Sequence, residues 1–252
     1  MTERTAPRRI RAGFTIFEIV IVLAIMGVLI SGLAIPISTQ VQLRRYEDTR
    51  KLLADAKDAL LGFASANGRL PCPASAASNG LESFAGGGNA TNGNCSNFYN
   101  GFLPGAALGL SPLDASGYVP DAWGNRVRYA VMDSSGGHSL TATNGVQIAS
   151  MATMSTRTFL YICASGTGVT ATDCGSAANQ MTNAAPFVVL SLGPNGAVAA
   201  SSTDETKNTD GNVVFEMHEP APASGGNEFD DIVTWASLNT LFSRLIAGGK
   251  LP

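Results

Sequence analysis

The chain has 252 residues, with 16 basic and 19 acidic side chains and a formal net charge of −3. This length accommodates one domain of moderate size beside a terminal segment. Four of the basic residues but one of the acidic residues lie in positions 1–13, so the remainder carries a net charge near −6. An acidic surface of this kind excludes the class of proteins that bind nucleic acid through a basic face.

An apolar stretch runs from Phe14 to Ile37, and Glu18 is its only charged residue. At about 1.5 Å of rise per residue, a helix of this length crosses a bilayer. An unpaired carboxylate is costly to bury in such a segment, so Glu18 indicates a function rather than a plain anchor. The alternative is an ordinary single-pass anchor with a stray acidic residue. The arginine-rich segment 1–13 is expected to stay in the cytoplasm, which places most of the chain on the opposite side of the membrane.

The segment GFTIFE at residues 13–18 follows a basic leader, 1–13, and opens the apolar stretch. It resembles the cleavage and methylation motif of type IV prepilins and type II secretion pseudopilins. A secretory signal peptide, in contrast, is cleaved after its apolar run. The resemblance implies that prepilin peptidase cleaves between Gly13 and Phe14, and that the new Phe14 amine is methylated. It also implies that Glu18 neutralises the terminal amine of a neighbouring subunit in a filament.

Residues 38–68 are predicted to continue the apolar helix as an amphipathic helix. Apolar residues recur there at three- and four-residue steps, and charged residues fill the other faces. Asn67-Gly68 is a signal for the end of a helix. By resemblance to the pilins, Pro36 marks a bend or a melted turn within the long helix; the alternative is a proline that starts a new turn. The apolar stripe consists of Tyr46, Leu52, Leu53, Ala56, Leu60, Phe63 and Ala64.

Four cysteines in an exported, loop-rich domain indicate disulfides. Three pairings are possible, and Cys72–Cys95 with Cys163–Cys174 is favoured because each closes a short segment rich in Gly, Ser, Asn and Ala. A zinc site is the competing interpretation, but the cysteines lack C-x-x-C spacing. Residues 69–117 are accordingly predicted to form a long surface loop held by the first disulfide.

The remaining chain is predicted to form a small antiparallel sheet and a C-terminal helix. Runs of β-branched and aromatic residues bounded by Gly, Asn or Pro indicate the strands, and apolar residues at helical spacing indicate a helix over 235–246. The fold class is therefore α+β, with a long N-terminal helix packed on one sheet around one core, and it is pilin-like. Residues 69–252 form the periplasmic head. The predicted strands are Val127–Val131, Thr158–Cys163, Phe187–Leu192 and Val213–Met217, with Gly145–Ile148 as an added edge.

A second resemblance, to the major pseudopilins, lies in the segments 121–125 (DAWGN), 191–196 (SLGPNG) and 230–235 (DDIVTW). In that family the turn and the late aspartate help to bind calcium, which makes Asn195, Asp230 and Asp231 candidate calcium ligands. Asn195 replaces the acidic residue of the family's turn, and the aspartates lie further along the chain than in the family. The alternative is a tight turn at 194–196 and an aspartate that opens a helix.

Few residues of the chain are candidates for catalysis. The chain has two histidines, His138 and His218, and it lacks the motifs of zinc proteases, serine hydrolases and nucleotide-binding loops. This favours a structural subunit over an enzyme.

The resemblance implies a subunit of a type IV pilus or of a type II secretion pseudopilus, and the size of the head favours a minor one. Its partners would be prepilin peptidase, other pilin or pseudopilin subunits and the inner-membrane assembly platform. It would sit in the inner membrane as a single-pass protein with a periplasmic head before it enters the filament. The alternative function is a membrane-tethered periplasmic binding protein or adhesin that does not polymerise.

Overall fold

The computed structural model describes residues 13–133, 140–148, 154, 159–198, 202–221 and 228–251, with only the backbone described at 31–38. The predicted leader up to residue 12, His138 and Thr158 lie outside these residues. The chain divides into two compact units, Met1–Arg45 and Tyr46–Pro252. The helices of the described residues are α1 (Ile16–Asn67), α2 (Gly105–Leu108), α3 (Gly145–Ile148), α4 (Thr203–Lys207) and α5 (Leu238–Ala247). The strands are β1 (Gly101–Phe102), β2 (Arg128–Val131), β3 (Leu160–Cys163), β4 (Gln180–Ala185), β5 (Phe187–Ser191), β6 (Val214–Glu216) and β7 (Ile232–Trp235).

In the first unit, α1 begins directly after Thr15. The Thr15 side chain accepts a hydrogen bond of 3.2 Å from the backbone N–H of Glu18, as a residue at a helix N-cap does. The sequence Thr15-x-x-Glu18 is thus placed as in a capping box. The helix continues through Pro36, and the structure shows no melted turn there.

In the second unit, the C-terminal part of α1 packs into the core as the amphipathic pattern predicts. Leu53, Ala56, Leu60 and Ala64 are buried in one cluster, and their spacing of three or four residues places them on one helix face. The helix ends at Gly68, whose φ of 68° and hydrogen bond of 2.8 Å to the Ala64 carbonyl are those of a glycine C-cap.

The strands form two sheets rather than the single sheet predicted. Strands β1, β2, β5 and β7 make an antiparallel sheet in the order β1-β2-β5-β7. Strands β4, β3 and β6 make a second sheet, in which β3 pairs antiparallel with β4 and parallel with β6. The expectation of one sheet and one core is therefore wrong, while the α+β class is confirmed.

Strand β5 shows why the head has a second layer. All five of its residues are buried. Phe187 and Val189 lie in the cluster that contains α1 and α5, whereas Val188 and Leu190 lie in a cluster with Leu160 and other residues of the second sheet. A strand covered on both faces needs apolar residues at successive positions, which explains the uninterrupted apolar run of β5.

Several local predictions need correction. Residues 145–148 form α3 rather than an edge strand. Strands β4 and β7 were not predicted, because β4 (QMTNAA) has few β-branched residues and β7 follows acidic residues that resemble a helix start. Residues 69–117 are not simply a surface loop: they contain β1 and α2, and Leu70, Ala74 and Leu103 are fully buried.

The two disulfides of the structure are the favoured pairs. Cys72 and Cys95 have Cα atoms 5.4 Å apart, and Cys163 and Cys174 have Cα atoms 5.5 Å apart. All four side chains are buried.

Helix α5 begins three residues later than predicted, because Trp235 belongs to β7. The hydroxyl of Ser237 accepts a hydrogen bond of 3.1 Å from the backbone N–H of Thr240 and caps the helix. The side chains of Leu241 and Leu245 are fully buried, whereas Ile246 is 45% exposed. Thus Leu241 and Leu245 of the predicted apolar stripe pack on the core, whereas Ile246 is partly exposed to solvent.

Candidate functional site

The N-terminal segment presents its predicted site residues to the outside. Phe14 is 80% exposed, and Glu18 is also exposed. Both line a shallow groove of about 240 Å³ on the surface of the first unit. The hydrogen bond from the Glu18 N–H to the Thr15 side chain fixes the backbone of the first turn of α1. The side chain of Glu18 is exposed at the surface.

Large apolar side chains are exposed along the whole described part of this segment. An exposed apolar surface of this extent marks an interaction site for lipid or protein. Of the helices in the described part of the chain, none combines the length and the apolar character needed to cross a membrane. The exposed side chains are Phe14, Ile16, Phe17, Ile19, Val20, Ile21, Val22, Leu23, Ile25, Met26, Val28, Leu29 and Ile30.

In the second unit, the structure brings the segments 121–125, 191–196 and 230–231 together. The Asp121 carboxylate accepts hydrogen bonds from the backbone N–H groups of Trp123 at 2.9 Å and Asn125 at 2.8 Å. The Asn125 amide donates to the Gly193 carbonyl at 2.7 Å. Gly193 has a φ of 62° and lies against Asp230, so a side chain there would be strained and would clash.

Asp230 and Asp231 meet a third carboxylate, that of Glu205 in α4. One carboxylate oxygen from each of these residues lies within 4.8 Å of the other two, and all three residues are buried. We call Glu205, Asp230 and Asp231 the carboxylate cluster. The Oδ1 atom of Asp230 has no hydrogen-bond partner among the described residues. Buried polar atoms normally have a partner, so this orphan oxygen is available to a ligand.

Electrostatic repulsion within the cluster accompanies this burial. Burial and the neighbouring Glu205 carboxylate raise the pKa of Asp230 to about 7. Burial raises the pKa of Asp231 to about 8, although its hydrogen bond of 2.7 Å from Asn208 opposes the shift. A divalent cation would relieve the repulsion, and three carboxylates are the oxygen ligands that calcium prefers. Glu205, Asp230 and Asp231 are thus the residues that could hold such an ion.

Asn195, the third candidate calcium ligand, contacts the carboxylate cluster. Its amide nitrogen donates to the Glu205 carboxylate at 2.9 and 3.1 Å, so Asn195 holds a residue of the carboxylate cluster. Glu205 was missed at the sequence level. The available signal was Ser202-x-x-Glu205, a capping-box pattern, and the Ser202 hydroxyl does accept a 3.1 Å hydrogen bond from the Glu205 N–H. That pattern predicts the start of α4 but does not indicate where the carboxylate points.

Comparison with known protein families identifies a motif in the N-terminal segment. Residues 8–34 match the family model of the prokaryotic N-terminal methylation motif. Neither the curated proteins nor the solved structures contain a match to the chain. The motif implies a membrane-anchored precursor that is processed by prepilin peptidase. Residues 8–34 carry the prokaryotic N-terminal methylation motif, which is the signal found in type IV pilins and pseudopilins.

Proposed function

We propose that the chain is a structural subunit, not an enzyme, of a type IV pilus-like or type II secretion pseudopilus filament. The observation that carries the proposal is the exposed apolar surface of residues 14–30, which begins at the methylation motif and includes Glu18 as its only charged residue. Such a surface is unfavourable in water and must be covered. Lipid covers it before assembly, and the equivalent helices of other subunits cover it in the filament.

Glu18 gives the assembly its register. In the proposed filament its carboxylate pairs with the Phe14 amine of a neighbouring subunit, a pairing favoured by the exposure of both residues along one groove. A buried ion pair of this kind specifies geometry more than it adds stability. Loss of one partner leaves the other charge unpaired in an apolar environment, at a cost of about 3–5 kcal/mol.

The proposed partners and location follow from this assembly. Prepilin peptidase cleaves between Gly13 and Phe14, and the inner-membrane assembly platform then moves the subunit into the filament. Before assembly the protein is a single-pass inner-membrane protein whose second unit is periplasmic, where its two disulfides are stable. The large second unit favours a minor subunit.

The choice between the two kinds of filament depends on the head. The segments 121–125 and 191–196, which are joined by the hydrogen bond from Asn125 to Gly193, resemble segments of the pseudopilins and favour that kind of filament. The two disulfides suit a subunit displayed on a pilus. Assays of protein secretion and of sheared surface filaments in a deletion strain separate the two, because each predicts a defect in one assay.

A calcium ion bound by the carboxylate cluster is a second proposed property of the head, supported by the unpartnered oxygen of Asp230. Calcium would then raise the midpoint of thermal unfolding, and Asp230→Asn would remove most of that increase. An equal calcium response in the variant contradicts the proposal.

The processing is tested by the intact mass of the protein from the membrane of its native host, measured without reducing agent. The expected product begins at Phe14, carries one added methyl group and lacks four hydrogens because of two disulfides. A chain that retains residues 1–13 in cells with active prepilin peptidase contradicts the proposal. It would favour the alternative, a membrane-tethered binding protein or adhesin.

Filament formation is tested with Glu18→Gln, which keeps the size of the side chain and removes its charge. We expect this variant to be lost from sheared filaments, because the Phe14 amine of its neighbour has no counter-charge. Glu47→Gln, at an exposed position of α1, is the matched control and should assemble normally. A protein that functions as a tethered receptor would be unaffected by either change.

A further inference from the structure

A second group of potential metal ligands lies in the head, beside the carboxylate cluster but separate from it. Asp204, Glu216 and His218 each place one ligand atom within 4.8 Å of the other two. We call these residues the Asp–Glu–His cluster. Asp204 comes from α4, Glu216 is the last residue of β6, and His218 follows that strand by two residues. Asp204 and Glu205 are neighbours in α4, and they direct their carboxylates into different clusters.

Glu216 is the strongest indication of a ligand. Its exposed fraction is 0%, and neither of its carboxylate oxygens has a hydrogen-bond partner within the described part of the chain. Its backbone is held on both sides by Asn208, which accepts from the Glu216 N–H at 2.8 Å and donates to its carbonyl at 3.2 Å. A carboxylate fixed in a buried position without partners is highly unfavourable unless a proton or a cation joins it.

Lys207 is a cationic residue that acts on Glu216, but it also has a carboxylate partner of its own. The Lys207 ammonium group lies 3.4 Å from the carboxylate of Asp210, with which it forms an ion pair. The carboxylate of Asp204 lies close to that of Glu216 and adds repulsion. Two carboxylates and one imidazole therefore share a small volume.

His218 is oriented as a metal-binding histidine. Its Nδ1 atom lies 2.9 Å from the carbonyl oxygen of Glu219, and since a carbonyl can only accept, Nδ1 carries the hydrogen. In the neutral ring, Nε2 then presents its lone pair to the Asp204 carboxylate, 3.2 Å away. Two acceptors face each other unless a proton or a cation lies between them. Metal-binding histidines commonly donate their other N–H to a carbonyl in this way. The ring also stacks on Phe229 at 3.8 Å, which restricts its rotation.

Gly166 keeps space open at the two carboxylates. A Cβ atom at this position would lie 2.7 Å from Oε1 and 3.1 Å from Oε2 of Glu216, and closer still to the Asp204 carboxylate. A side chain there would occupy the volume next to both residues. The cluster can be reached from solvent, since the side chains of His218 and Asp204 are 23% and 17% exposed and His218 lines a surface cleft of about 610 Å³.

We propose that Asp204, Glu216 and His218 bind one divalent transition-metal ion, zinc in particular. One imidazole nitrogen and two carboxylate oxygens form a ligand set that suits zinc, with a water molecule as the fourth ligand. The carboxylate cluster, which offers oxygen ligands alone, suits calcium. The ion ties α4 to the end of β6 and to the segment after it. This proposal is independent of filament assembly.

The test uses full-length, untagged protein in detergent micelles, first stripped of metal with a chelator. Zn²⁺ is added in competition with a chromophoric chelator. We expect one high-affinity Zn²⁺ per chain, and His218→Gln and Glu216→Gln should each weaken its binding by at least about 100-fold, since even residues behind the ligands cost 10–100-fold. Gly166→Ala should also weaken zinc binding, although it replaces none of the three ligand residues, because the added Cβ would displace the carboxylates of Asp204 and Glu216.

Two variants serve as controls. His138→Gln removes the only other histidine of the chain and should leave zinc affinity unchanged. Asp230→Asn alters the carboxylate cluster and should change zinc affinity much less than His218→Gln or Glu216→Gln, because Asp230 is not one of the three proposed ligands. Absence of high-affinity zinc binding, unchanged binding in His218→Gln, or equal loss in Asp230→Asn would each overturn the proposal.

Nuclear magnetic resonance supplies a readout that requires no substitution. With two histidines in the chain, the ¹⁵N signals of the imidazoles can be followed individually. Addition of one equivalent of Zn²⁺ should shift one Nε2 signal, and that signal should be absent in His218→Gln. Lack of any shift in the unaltered protein overturns the assignment even if the variants fail to fold.

Discussion

The hydroxyl of Ser191 donates a hydrogen bond of 2.6 Å to the carboxylate of Asp121, 70 residues earlier in the chain. The same hydroxyl accepts a hydrogen bond of 3.1 Å from the Gly193 N–H. Because Gly193 lies against Asp230, this pair connects the entry to β2, the end of β5 and the start of β7. Two of the segments of the pseudopilin resemblance are therefore joined by hydrogen bonds, and the third lies against them beside the carboxylate cluster.

Asp121→Ala is expected to destabilise the head by about 2–4 kcal/mol, because it leaves the buried Ser191 hydroxyl and two partly buried backbone N–H groups without their acceptor. Asp55→Ala, at an exposed position of α1, is the matched control and should change the free energy of unfolding by less than about 0.5 kcal/mol. Urea unfolding followed by tryptophan fluorescence measures both. A loss below about 1 kcal/mol in Asp121→Ala would show that the network adds little.

The metal-free protein should lose stability as the pH rises from 5 to 8.5. Burial and the nearby Asp204 carboxylate raise the pKa of Glu216 to about 8, and the pKa values of Asp230 and Asp231 are raised to about 7 and about 8. In the unfolded chain these carboxyl groups have their ordinary pKa values. At a pH between those values and the raised pKa values of the folded state, the folded state binds more protons, so a rise in pH favours unfolding. Each pKa unit of difference between the folded and unfolded states corresponds to about 1.4 kcal/mol in the free energy of unfolding.

Urea unfolding at several pH values in the presence of a chelator tests this trend. Glu216→Gln should reduce the decline, because it removes one of the three titrating groups, while Glu47→Gln, at an exposed position, should keep the full decline. Stability that is constant or rises over this interval would contradict the prediction.

Adjacent residues of α5 should differ sharply in their contribution to stability. Leu245 is fully buried, whereas Ile246 is 45% exposed. Leu245→Ala should cost about 2–5 kcal/mol through the cavity that it leaves, and Ile246→Ala much less. Thermal unfolding of the two variants measures the difference. Equal losses would mean that Ile246 is also covered, as it would be if α5 docked against another subunit.

Removal of either disulfide should destabilise the head by roughly 3 kcal/mol, through the greater freedom of the unfolded chain. The Cys72–Cys95 disulfide joins residues 23 positions apart, and the Cys163–Cys174 disulfide joins residues 11 positions apart. Replacement of Cys72 and Cys95 by serines should therefore cause the larger loss of stability. Urea unfolding of the two double variants gives the comparison. Under reducing conditions the unaltered protein should approach the behaviour of both variants combined; if it keeps its full stability, the bridges do not stabilise the fold.

Local patterns predicted several elements correctly. The spacing of Leu53, Ala56 and Leu60 identified the buried face of α1, and Asn67-Gly68 identified its end, because helix periodicity and capping depend on residues close in sequence. The apolar runs at β2, β3, β5 and β6 were recognised for the same reason. In contrast, residues 145–148 have the composition of a strand yet form α3, and Gln180–Ala185 has a weak strand pattern yet pairs with β3.

The sequence by itself determined the N-terminal signal, since the basic leader, Gly13, Phe14, Glu18 and the apolar run are contiguous and their chemistry depends on order along the chain. The tertiary structure alone decided the two clusters in the head. Asp204 and Glu205 are consecutive, but one meets Glu216 and His218 while the other meets Asp230 and Asp231. These contacts depend on how the strands pair and how α4 packs beside them. Residues brought together by long-range packing have no fixed spacing in the sequence.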